Sequence, residues 1–248
     1  MNGLKELIQS VTENLVFVLE FLAIIVAIFL AALLFEKLAQ KKRGVKEKIL
    51  TTRKMAMIGM FSAIATILHL FDFALPFAPP FYKLDFSELP ILVGAFAFGP
   101  AAGVMMEFLK ILLKLLVKGT TTAFVGDLAN FVIGCSFILP ASVIYAFGKK
   151  KRSAIVGCVV GTLILTVFGT AFNAIYLLPA FSALFGMSME SILQAGMAVN
   201  PLATGDSIVN FVAACVAPMN LIKGGFASIV TMLIYKPLSP IIKAGYRR

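Results

Sequence analysis

Between Phe81 and Glu88 the sequence FYKLDFSE sets Lys83, Asp85, Ser87 and Glu88 among three rings, Phe81, Tyr82 and Phe86. Charges, hydroxyls and rings at this density compose a binding site for a small molecule. The same mixture also suits a solvated connector whose aromatics anchor it at a membrane interface. Lys223, within NLIKGG, is the most diagnostic single residue. A lysine near the centre of an apolar helix costs about 2.5 to 3.5 kcal/mol on insertion scales, so it needs a carboxylate, carbonyls, water or a ligand to offset it. Pro218 adds an acceptor to the same run by freeing the carbonyl of Ala214. Asp127 with Asn130, and Asn173 with Tyr176, are each spaced three apart and so share a helical face. Such polar pairs serve either a site or hydrogen bonds between helices. Lys110, Lys114 and Lys118 recur at every fourth position, a stripe that faces water or a pocket, or else snorkels to lipid headgroups.

Reaction chemistry is harder to find. Cys135, Cys158 and Cys215 lie apart in apolar runs with no Cys-x-x-Cys pair, and His69, the single histidine, sits near the end of a span. These patterns indicate no metal site, no cofactor and no catalytic group. Asp127, Asp206 or Glu107 could serve a membrane-embedded enzyme, but no paired-carboxylate, His-rich or Ser/His constellation accompanies them. Gly148-Lys149 is followed by Lys150, so no phosphate-cradling G-x-x-x-x-G-K-[ST] loop occurs and the chain does not hydrolyse ATP alone. A self-contained carrier would predict internal repeats, which are not evident. The residues speak for binding.

The elements that position them are membrane helices. The 248 residues are 60% hydrophobic and 14% charged, with a mean hydropathy of +0.98, far from the quarter or so of charged residues usual in soluble domains. Backbone in lipid must satisfy its own hydrogen bonds, and these runs are too long and unbroken for barrel strands, so an all-α polytopic membrane protein follows. The net charge of +10 would suggest nucleic acid as the partner of a soluble protein. Here the basic residues flank apolar runs and act as topology signals toward a lipid bilayer, with no nucleic acid implied.

Seven spans are expected. Residues 1–13 lie outside and 14–35 form a retained transmembrane helix carrying one charge, Glu20. The basic linker 36–54 is cytoplasmic by the positive-inside rule. Span 55–71 presents Ala56, Gly59 and Ala63 on one face, small residues that let another helix approach closely. The outer loop 72–87 is stiffened by Pro76, Pro79 and Pro80 into a largely extended segment. Two spans, 89–98 and 101–117, are separated by Gly99-Pro100; 122–147 then descends to the basic cluster Lys149 to Arg152. Span 154–179 rises again, 180–207 forms a long outer connection of the lid type with a short amphipathic helix, and 208–235 returns to a basic cytoplasmic tail, 237–248.

Together KLDFSELP, GAFAFGPAAGVMMEFLK, GDLANF, FNAIYLLP and NLIKG, spread over residues 55–236, resemble the substrate-binding S component of an energy-coupling factor (ECF) vitamin transporter of the riboflavin-specific RibU type. The resemblance implies a six-helix S-component core in the prokaryotic plasma membrane plus one additional N-terminal transmembrane helix, for which it suggests no role. It implies riboflavin as the transported ligand, with Leu84, Asp85 and Phe86 in the outer loop and Asn173 and Lys223 in the helices as pocket residues, joined by Asn130 and Tyr176. In this picture Lys223 and Asn173 hydrogen-bond the ligand while Phe86 covers its ring face. Lys223→Met is then expected to fold normally, because losing an intramembrane charge relieves desolvation. The small face Ala56, Gly59, Ala63 would dock the transmembrane T subunit, although Gly59 and Met60 depart from a simple Ala-x-x-x-Ala pattern, and two cytoplasmic ATPases would supply the energy. The same fold could instead take another vitamin, or a phosphorylated flavin drawn by the lysine stripe.

Overall fold

The computed structural model describes residues 12–13, 15–204 and 207–243, with the backbone alone for 236 and 238–243. The predicted outer N-terminus up to residue 11, Asn14, Asp206 and the tail residues Arg247 and Arg248 lie outside the described residues. Helix α1 (Leu15–Arg43) is followed by α2 (Thr52–Leu70), β1 (Phe73–Ala74), β2 (Lys83–Leu84), α3 (Glu88–Phe98), α4 (Pro100–Lys118) and α5 (Val125–Gly148). Then come α6 (Lys151–Phe172), α7 (Leu178–Phe185), α8 (Met189–Met197), α9 (Ile208–Phe211) and α10 (Ala217–Lys243). Single π-helical turns, Asn173–Leu177 and Val212–Val216, join α6 to α7 and α9 to α10, making two long interrupted helices.

Among the described residues, four helical stretches are long and apolar enough to cross a membrane: Leu15–Arg43, Val125–Gly148, Lys151–Phe185 and Ile208–Tyr235. The run 89–98, expected as a span of its own, forms only the 11-residue α3. At 1.5 Å per residue it rises about 16 Å, roughly half the hydrocarbon thickness. It is enclosed by neighbouring helices instead, with Ile91, Leu92 and Phe96 fully buried. This wrapping explains its unbroken apolarity, because a helix covered on every side has no polar face to spare.

Close contacts hold the bundle together. A β-carbon on Gly157 would lie 2.5 Å from the carbonyl of Ala141, and one on Gly161 would lie 2.9 Å from that of Phe137, so α5 and α6 touch backbone to backbone. Small residues give membrane helices this closeness, which substitutes for the hydrophobic drive that lipid removes. One apolar cluster links α2 to α6 and α10 through Phe61, Phe96, Phe137, Leu165 and Ala227. A second lies beneath the loops and joins Tyr82, Leu84, Ile192, Leu193 and Phe211. A third seats Phe21 and Ala32 of α1 against Val104, Phe131 and Cys135 of α4 and α5.

The outer loop is more ordered than extended chain alone. Phe73 pairs with Leu84 and Ala74 with Lys83 in a two-stranded antiparallel ribbon, whose prolines stay clear of the ladder. The long connection 186–207 is pinned to this loop by Asn200, whose Nδ2 donates to the Phe77 carbonyl (3.2 Å) and to the Ala214 carbonyl (2.9 Å). The carbonyl freed by Pro218 is thus taken by a side chain of the chain itself.

Candidate ligand-binding site

Beneath the ribbon lies a cavity of about 320 Å³, walled by the outer loop, the ends of α2, α3, α4, α5 and α10, the π-helical turn Asn173–Leu177 and α7. That size falls at the small end of the range for organic ligands. Its floor is charged. Asp85 accepts the Ser87 amide at 2.8 Å, and its other oxygen lies 3.1 Å from Lys223 Nζ and 3.3 Å from His69 Nδ1. Lys223 also meets Glu88 at 3.0 Å, and Glu88 reaches Lys110 at 3.3 Å. Lys110 in turn pairs with Glu107 at 2.6 Å and donates to Ser87 Oγ at 3.2 Å. Burial by itself favours the neutral acid of Asp85, but the Lys223 ammonium, His69 and Lys110 outweigh it and hold the carboxyl well below the ordinary range.

The two central lysines differ in what they have left to give. An ammonium carries three N–H donors. Those of Lys110 face three acceptors, Ser87, Glu88 and Glu107, and its side chain is fully buried. Lys223 faces two carboxylates and keeps one N–H for the cavity, which it lines. The lysine stripe therefore faces the interior rather than lipid headgroups: Lys114 pairs with Asp127 at 2.7 Å, and Lys118 stands on the cavity wall.

Polar groups converge from the helices above this floor. Tyr82 donates to Asn173 Oδ1 at 2.9 Å, and burial pushes its phenol far up, so it stays a protonated donor. Asn173 Nδ2 donates to the Gly169 carbonyl at 2.7 Å, at the π-helical turn where α6 is interrupted. Such turns recur at functional sites because they re-aim side chains. Asn220 lines the cavity too, and its buried Nδ2 has no hydrogen-bond partner. A β-carbon on Gly169 would lie 2.8 Å from that nitrogen, so the glycine makes room for the amide. Ile133, Leu177, Phe181 and Met219 complete an apolar wall.

Of the seven residues expected as ligand contacts, the cavity gathers Asp85, Asn130, Asn173 and Lys223. Leu84, Phe86 and Tyr176 do not line it. Leu84 is buried in the cluster under the loops, Phe86 packs on Phe226 (4.5 Å between centroids) and Phe73, and Tyr176 packs on Phe172. Phe86, expected over a ligand ring, is thus engaged elsewhere. Tyr82 and Glu88, which belong to the polar stretch marked in the sequence without a contact assigned to them, line the cavity as well, and so does Asn220, for which the sequence suggested no site role. Asn220 was within reach, since it precedes Lys223 by three residues and shares its helical face.

A family model described as ECF transporter, substrate-specific component, matches residues 53–235, nearly three quarters of the chain and all of these cavity residues. The chain belongs to this family. It is similar to "Riboflavin transporter RibU" of Staphylococcus aureus (strain TCH60), with 34% identity over 191 residues, covering 77% of this chain and 93% of that protein. It is also similar to "Riboflavin transporter FmnP" of Bacillus subtilis (strain 168), 29% identical over 192 residues, 77% of this chain and 94% of that one. A solved structure described as "Structure and mechanism of the S component of a bacterial ECF transporter" matches with a TM-score of 0.60 and 35% identity, over 77% of this chain and 97% of that chain. As an ECF substrate-specific component the protein is a multi-pass membrane protein of the bacterial cell membrane and no enzyme. Helix α1 ends ten residues before the family match begins and so lies outside it.

Proposed function

We propose that this S component binds riboflavin in the cavity beneath the β-ribbon and delivers it inward with an ECF energising module. The observation that carries the reading is the pairing of one spare N–H on Lys223 with the unpartnered amide of Asn220, both facing an otherwise walled cavity. A flavin ring offers an apolar plane with carbonyl and ring-nitrogen acceptors along one edge, which such donors fix in orientation. The relatives named as riboflavin transporters support the cargo. Asp85, Asn130 and Asn173 join Lys223 and Asn220 as polar contacts, with Leu84 and Phe86 buttressing the loop and Tyr176 supporting the wall behind Asn173.

The same proposal gives the small face of α2 to the T subunit. Ala56, Gly59 and Ala63 are all exposed, and a β-carbon on Gly59 would meet nothing within 4 Å. That leaves close approach to another helix open. Two cytoplasmic ATPases acting through the T subunit would turn the loaded cavity toward the cytosol, with the N-terminus outside and the C-terminus inside. The deciding experiment is a titration of riboflavin fluorescence against the purified protein in detergent, with thiamine and biotin as controls. Saturable quenching by riboflavin alone is expected; no quenching, or equal displacement by another vitamin, refutes the assignment.

A further inference from the structure

The turn at Gly99 joins the two helices that carry the buried charges, Glu88 on α3 and Glu107 with Lys110 on α4. It is tight: Gly99 has φ +108°, a region that favours glycine, and Pro100 opens the next helix directly. The carbonyl end of α3 and the amide end of α4 therefore meet within a few residues, and Gly99 has no side chain to cap either. Pro100 has no N–H, so Ala101 presents the first amide of α4 that needs an acceptor.

Both ends are satisfied from elsewhere in the chain. Lys149, just past α5, donates to the Phe96 carbonyl at 3.3 Å. Glu36, from α1, accepts the Ala101 amide at 3.0 Å while only 5% exposed. Each charge has the sign that its helix end favours, a cation at carbonyls and an anion at amides. A β-carbon on Gly99 would lie 2.6 Å from the Glu36 carboxylate, so the glycine also opens the seat in which that carboxylate rests. Glu36 precedes residue 53, where the family match begins, so the acidic half of this arrangement comes from outside the matched residues.

We infer that α1 is a fixed member of this bundle, whose Glu36 together with Lys149 clamps the Gly99 turn and so sets the spacing of Glu88, Glu107 and Lys110 beneath the cavity. Glu36 is then a positioning residue for ligand binding, and this part of the inference rests on the cavity being the riboflavin site. The test uses the full-length protein. Hydrogen exchange over residues 101–103 should accelerate about five-fold or more in Glu36→Ala, as expected for loss of a cap. Riboflavin release, followed by stopped-flow fluorescence, should speed up several-fold. Glu36→Gln keeps an acceptor oxygen and should restore most of both. Glu36→Ala with Lys149→Ala should release riboflavin more slowly than the product of the two single effects predicts, because both loosen one turn. Unchanged exchange in Glu36→Ala overturns the clamp, and faster exchange with unchanged release overturns the positioning role. If Glu36→Ala does not fold, unchanged release in Lys149→Ala refutes the inference equally. Failure of the wild type to bind riboflavin would instead sink the functional reading and leave the exchange comparison standing.

Discussion

Replacing Lys223 by methionine tests the charged floor and the ligand site together. In the folded protein its ammonium lies 3.1 Å from Asp85 and 3.0 Å from Glu88, with the lysine side chain 13% exposed and the carboxylates 4% and 3%. Removing one partner of a buried ion pair leaves the other uncompensated and costs about 3 to 5 kcal/mol. That is a large share of a typical stability of roughly 5 to 15 kcal/mol. At about 2 to 4 °C per kcal/mol for a domain this size, melting should fall by roughly 6 to 20 °C. The expectation from sequence alone, that Lys223→Met folds normally, is therefore reversed, because the charge was never isolated. Loss of the charge-assisted bond to riboflavin should add about 1.5 to 3 kcal/mol to the binding free energy, roughly ten-fold to more than a hundred-fold in affinity. Combining Lys223→Met with Asp85→Asn removes the carboxylate left without an ammonium, since Glu88 keeps Lys110, so melting should recover in large part while affinity stays low. Thermal melting and riboflavin fluorescence titration on the three proteins decide the matter. A Lys223→Met protein with wild-type melting and wild-type affinity would refute the argument, and a double variant that binds normally would remove Lys223 from the site.

Asn220→Leu should lower riboflavin affinity about five- to ten-fold with little change in melting, because its Nδ2 has no partner to lose in the empty protein; a strongly lowered melting temperature would make it a packing residue instead. Gly59→Leu and Ala63→Leu should leave riboflavin binding intact and abolish uptake into cells, since both positions are exposed on α2; loss of binding as well as uptake would show that the face packs internally. Cysteines introduced at positions 2 and 248 of a cysteine-free protein should be labelled from outside and from the cytoplasm respectively, following the three inward basic clusters; cytoplasmic labelling at position 2 would reverse the placement of α1. Lys110→Met should lower melting at least as much as Lys223→Met, because all three of its donors face protein acceptors; unaltered melting would mean that the floor is held without it.

The membrane class, the helical architecture and the need of Lys223 for a partner could be read from the sequence, because each rests on local physical chemistry. A run of apolar residues in lipid must be helical, and a lysine within one must find a partner, whatever the fold. Motif spacing likewise set Asn130 with Asp127 and Asn173 with Tyr176, since residues three apart share a helical face. Which partner each charge takes depends on residues far apart in the chain, and so only the tertiary structure decided it. Lys223 meets Asp85 across 138 positions, and Tyr82 meets Asn173 across 91. The lysine stripe illustrates the difference: its periodicity fixed one face of α4, but whether that face met lipid or carboxylates depended on where α3 and α5 came to lie. Phe86 makes the same point from the other side, for it adjoins Asp85 in sequence while the loop turns its ring onto Phe226. The length of α3 was legible, but its enclosure by neighbouring helices was hidden, because full burial and membrane insertion select the same apolar residues. Only the packing of its neighbours distinguishes the two.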